Sequence, residues 1–169
     1  MKRIFTIIPI LLIFGSCNPF APALDESLEQ GSSLIADATT IDGVFQNIKY
    51  SYTFRDTTIY GQLVNSDFAF VYWDYDRGVE VTWGRDEEMQ TTRGLFQNVQ
   101  RLDLVWNNII SLSTDSVGQQ ASVSRNFNLT VTFNPSDIIR VDGYATLALA
   151  RPDAQKSWRI VRWRDESNF

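Results

Sequence analysis

The chemistry open to this chain is set first by what it lacks. It has no histidine and one cysteine, Cys17. Without an imidazole there is no Ser-His-Asp or Cys-His nucleophile, and no side chain whose ordinary pKa lies near neutrality. Zinc sites built on histidines or on several cysteines are excluded, so no metal and no cofactor is expected. A single thiol forms no intramolecular disulfide. Carboxylates and tyrosines remain for acid–base work. A formal net charge of -5, with no basic stripe, argues against a nucleic-acid partner.

Cys17 sits in a context that gives it a role. Met1-Lys2-Arg3 is a short basic start, Ile4 to Phe14 is almost wholly apolar, and Gly15-Ser16 follows. This is the layout of a secretory signal peptide. The apolar run is interrupted by Pro9 and is too short to span a bilayer. Phe14-Gly15-Ser16-Cys17 resembles the lipobox of bacterial lipoproteins, with Phe14 where Leu is usual. The resemblance implies cleavage after residue 16 and acylation of Cys17, making the membrane a partner through lipid. Asn18 stands where Asp would signal inner-membrane retention, so the expected place is the outer membrane, facing the periplasm. Residues 17–39 are polar and carry Pro19, Pro22 and Gly31, which predicts a flexible tether. The folded domain is expected over residues 40–169.

The elements of that domain follow from periodicity. Ile41, Val44, Phe45, Ile48 and Tyr52 recur at helical spacing behind Thr40 as cap, with Asn47 on the polar face. A short second helix is predicted over about 56–64, then a strand over Phe68 to Tyr72. Trp73 to Thr82 reads as a loop or irregular hairpin around Asp76-Arg77-Gly78. Trp83 to Met89 opens a third helix whose acids favour the positive end of the helix dipole, and Met89, Arg93, Phe96 and Val99 form its stripe. Long strands follow. Phe127, Leu129, Val131 and Phe133 alternate with Asn126, Asn128, Thr130 and Thr132, the mark of a sheet with one buried face. A last hairpin turns at Arg151-Pro152-Asp153. In its return arm Trp158 and Ile160 alternate against Val161 and Trp163, which predicts a central strand apolar on both faces.

Helix, helix, strand, helix and then antiparallel strands is an α+β order. It is similar to the nuclear transport factor 2-like (SnoaL-like, cystatin-like) superfamily, in which N-terminal helices pack into a strongly curved, mostly antiparallel sheet shaped as a cone. The resemblance is carried by Phe68 to Tyr72 after two helices, Trp83-Gly84-Arg85-Asp86-Glu87-Glu88, Val141-Asp142-Gly143-Tyr144-Ala145, and Trp158 to Trp163.

That resemblance implies a pocket between the helices and the concave sheet. Tyr52, Phe68, Phe70, Tyr72, Trp83, Trp106 and Phe127 are the candidate lining residues; the alternative is that these aromatics fill the core. The resemblance also implies two kinds of function. One is binding of a partner or a small apolar ligand without catalysis. The other is an isomerase, dehydratase or hydrolase using a carboxylate base and a tyrosine, for which Asp74 after the first strand and Tyr52 on the first helix are the candidates. A strand apolar on both faces leaves one apolar pair away from the helices, which predicts a homodimer through the sheet.

Overall fold

The computed structural model describes residues 35–167. The predicted leader, Cys17 and most of the predicted tether lie outside the described residues. The described residues form three helices and one six-stranded sheet, in the order α1 (Ile41–Phe54), α2 (Thr57–Leu63), β1 (Val64–Asp74), β2 (Val79–Gly84), α3 (Arg85–Asn98), β3 (Arg101–Thr114), β4 (Gln120–Asn134), β5 (Asp137–Ala150) and β6 (Arg159–Ser167).

Local chemistry starts each helix. The Thr40 hydroxyl accepts from Gly43 N at 3.0 Å, satisfying one of the amides that a helix start leaves unpaired. Asp56 does the same for α2, accepting from Thr58 N and Ile59 N. α3 begins at Arg85 behind Gly84, with no side-chain cap but with Asp86, Glu87 and Glu88 in its first turn. Trp83 therefore belongs to β2 and not to the third helix; β2 pairs with β1, and of the two readings of 73–82, loop or irregular hairpin, the hairpin is the one found, with a regular register.

Two predicted faces are corrected. Asn47 is buried at 1% exposure and not on the polar side of α1. It holds Ala36 at both ends, accepting from Ala36 N at 2.7 Å and donating to Ala36 O at 2.8 Å. The domain thus engages the chain from residue 36, four positions before the predicted boundary. On α3, Phe96 and the following Val99 are buried and Met89 packs against the core as predicted, but Arg93 is exposed, and Glu88 and Thr92 are buried with Phe96 at four-residue spacing. A stripe containing a carboxylate escapes a search for apolar periodicity.

The sheet order is β2-β1-β6-β5-β4-β3, with β1 and β6 parallel and every other pair antiparallel. The sheet curls around its helices and the architecture is the expected α+β cone. β6 lies centrally, as its apolar residues predict. The expectation that its two apolar pairs face opposite sides does not hold. Leu147 pairs with Trp163 and Ala148 with Arg162, but Leu149 pairs with Ile160, so Val161 is an extra residue in a β-bulge. The bulge resets the alternation. Trp158, Ile160 and Trp163 are all buried, and Arg162 is exposed. The main core joins Val44, Phe45 and Ile48 of α1 to Leu147, Ile160 and Trp163 of the sheet.

Candidate functional site

The concave face of β4 carries Phe127, Leu129, Val131 and Phe133, in the alternation that the sequence shows. Helices do not fill the space above it. A cavity of about 250 Å³ remains, walled also by Trp106 of β3, Val141 of β5, Trp163 of β6 and Phe70 of β1. Tyr52 of α1 and Leu95 of α3 close the helix side. Trp106 is held by its indole N–H, which donates to Phe45 O at 3.0 Å, and by an edge-on contact with the Phe45 ring at 4.8 Å.

Past the bulge, the inner face of β6 reads Trp163, Asp165, Ser167, and all three line the cavity. Asp165 brings a carboxylate into an apolar wall. Its Oδ1 is buried without a hydrogen-bond partner, and so is Trp163 Nε1. Burial pushes the Asp165 carboxyl above its ordinary value; the neighbouring Ser167 holds the shift back, and the charges of Glu166 and Glu88 add to it. Burial also pushes the Tyr52 phenol up, with Glu88 and Asp165 adding in the same direction. Tyr52 therefore stays neutral at physiological pH and can donate a hydrogen bond. A carboxylate in such a setting holds a proton more tightly than one in water, and it can accept from a ligand O–H or N–H or take a proton.

Behind Tyr52 lies a second buried carboxylate. Glu88 accepts from Tyr60 Oη at 2.6 Å, Trp83 Nε1 at 2.7 Å and Thr92 Oγ1 at 3.0 Å. Three neutral donors from α2, β2 and α3 satisfy it, and it does not line the cavity. No group of three or more carboxylate or cysteine side chains positioned for a metal ion occurs among the described residues.

Of the residues nominated from sequence, Tyr52, Phe70, Trp106 and Phe127 do line the cavity. Phe68 is buried in the core beneath it. Tyr72 and Trp83 line instead a larger adjoining groove of about 710 Å³, which shares Phe70, Asp165 and Ser167 with the cavity. Asp74 borders neither. It ends β1, and its Oδ1 accepts from Arg77 N at 3.0 Å within the β1–β2 turn, with the Arg77 guanidinium 3.8 Å from Oδ2. Asp165 was missed. Alternation places it on the face of Trp163, two residues before it, but the bulge that turns this face inward leaves no mark in the sequence.

Comparison with family models and with curated proteins finds no match. Solved structures do match. A protein from Novosphingobium aromaticivorans provisionally named a scytalone dehydratase aligns over 76% of this chain and 82% of its own, with a TM-score of 0.64 and 15% identity. One from Streptomyces avermitilis, provisionally named a dehydratase of the NTF2-like family, aligns over 73% and 90%, at 0.58 and 14%. A protein from Caulobacter vibrioides described as having a cystatin-like fold aligns over 76% and 87%, at 0.59 and 13%. Identities this low establish a shared fold and nothing finer.

Proposed function

We propose, starting from the nuclear transport factor 2-like fold that the chain shares with these proteins, that its cone binds a small, largely apolar ligand carrying one hydrogen-bonding group. The observation that carries this reading is the unpartnered Oδ1 of Asp165 at the wall of an otherwise apolar cavity. A buried acceptor without a donor is costly, and a ligand O–H or N–H offsets that cost. The test is titration with an apolar fluorescent dye, read by the dye and by quenching of the cavity tryptophans. Saturable binding with one site per chain is expected; its absence overturns the reading.

A second reading is catalysis in the same cavity. Asp165, in place of Asp74, would take a proton from a bound substrate, and Tyr52 would donate a hydrogen bond to the oxygen that gains charge. Two of the similar proteins carry dehydratase names. Loss of turnover in Asp165→Asn with ligand binding retained would favour this reading over binding alone.

We further propose that the domain is held at the outer membrane by lipid on Cys17, on the strength of the lipobox-like Phe14-Gly15-Ser16-Cys17. Homodimerisation through the sheet is also proposed, with its contact moved from β6 to the edge strand β3. There Val105, Ile109, Ile110 and Leu112 are each about half exposed. Sedimentation at tens of micromolar separates a dimer from a monomer, and a monomer that Ile110→Asp leaves unchanged overturns the contact.

A further inference from the structure

The groove that adjoins the cavity at Phe70, Asp165 and Ser167 has a composition of its own. Tyr72, Trp73, Tyr75, Trp83 and Tyr144 line it. Three of these keep large surfaces in water: Trp73 is 43% exposed, Tyr75 70% and Tyr144 38%. Its carboxylates are Asp165 and Glu166, and its one cation is Arg164. That cation is already committed. Arg164 Nη1 lies 2.7 Å from Glu80 Oε2, and its Nε 3.5 Å from Glu166 Oε1. Glu166 also acts on the neighbouring Tyr144, raising its phenol above the ordinary value. An incoming anion would find the one cation already paired and would meet Asp165, whose Oδ1 has no partner.

We propose that this groove receives an ammonium head group, and that the ligand of the cone is an amphiphilic amine whose apolar body fills the cavity. This rests on the binding reading given above. Aromatic faces attract a cation through their quadrupoles, and several faces around one site act together with nearby carboxylates. Asp165 and Ser167 belong to both spaces, so a ligand that fills the cavity and extends past Asp165 enters the groove. The unpartnered Oδ1 of Asp165 then lies where a positively charged head meets the apolar body. Body length is limited by the cavity of about 250 Å³, which holds at most roughly eight carbons at about 30 Å³ each, near the volume of a water molecule in the liquid, so a hexyl body fits.

The test is calorimetric titration of the full chain with three probes that share a hexyl body: hexyltrimethylammonium, 1-hexanol and hexanoate. The ammonium is expected to bind about tenfold tighter than hexanol, equivalent to about 1.4 kcal/mol, with hexanoate weakest. Trp73→Ala and Tyr75→Ala change exposed side chains; with melting curves to confirm folding, each is expected to lower the ammonium-to-hexanol ratio. Hexanol binding as tightly as the ammonium, or both variants keeping the full ratio, overturns the ammonium inference and leaves the cavity reading standing. No binding by any of the three overturns both.

Discussion

Replacing Val141 by phenylalanine tests whether the cone is hollow. Val141 is 9% exposed, lines the cavity and pairs across the sheet with Leu129. The substitution adds a net four carbons. At no more than about 30 Å³ each they need on the order of 120 Å³. A cavity of about 250 Å³ accommodates that. Burying the added carbons gives at most about 3 kcal/mol, at ~0.8 kcal/mol per methylene. The expected result is a stability between unchanged and about 3 kcal/mol higher. In a domain of this size each kcal/mol raises the thermal midpoint by roughly 4 °C. Urea unfolding measures the change directly if the transition is two-state. If the cone is already filled, the ring overpacks it and costs about 1–3 kcal/mol. The two cases differ in sign, so a clear loss of stability refutes the cavity argument. Dye binding provides the second readout: a filled cavity should no longer bind.

Three more substitutions test other parts of the argument. Trp158 is buried at 3% exposure, lies 4.0 Å beneath the Arg151 guanidinium and donates its amide to Ala38 O, so Trp158→Ala is expected to cost roughly 3–5 kcal/mol by urea unfolding; an unchanged midpoint would refute that packing. Burial holds the Asp165 carboxyl above its ordinary 3.8, so the native state keeps its proton after the unfolded chain has released it, and wild-type stability falls as pH rises through that window. Asp165→Asn removes this dependence: it should be more stable than wild type at pH 7, with the difference shrinking toward pH 3.5, whereas a pH-independent difference would contradict the assignment. Cys17→Ser should leave the protein unlabelled by a fatty-acid analogue and released from membranes, and a wild type that takes no label would refute lipidation; firm anchoring needs more than one acyl chain.

The sequence reveals the frame of this fold better than its site, for physical reasons. α1 was legible because its cap and its apolar stripe are local signals, and the cavity wall of β4 was legible from strict alternation over Phe127 to Phe133. The face of Trp163 was not, because a bulge at Val161 depends on pairing with β5 and β1 and leaves no mark in the spacing of apolar residues. The same hidden reset turns Asp165 inward. Asp74 was nominated by its position after the first strand, but the short β1–β2 turn claims its carboxylate for Arg77 N. In the sequence Glu88 is one of three acids at a helix start. Its burial depends on donors 28 and 5 residues away, Tyr60 and Trp83, which only the assembled structure brings to it.

The grip of Asn47 on Ala36 also fixes how the domain meets mechanical load. A pull on the chain ahead of residue 36 does not reach the sheet at once. It arrives first at the paired bonds to Asn47, then at Ala38 O, held by the Trp158 amide at 2.8 Å, and then at Thr39 O, held by Arg151 at 3.1 Å. These attachments can open in sequence, as a peel, while the long ladders of β3, β4 and β5 share their load across many bonds. The two bonds of Asn47 therefore act as a fuse, yielding a few residues of slack before force enters the cone.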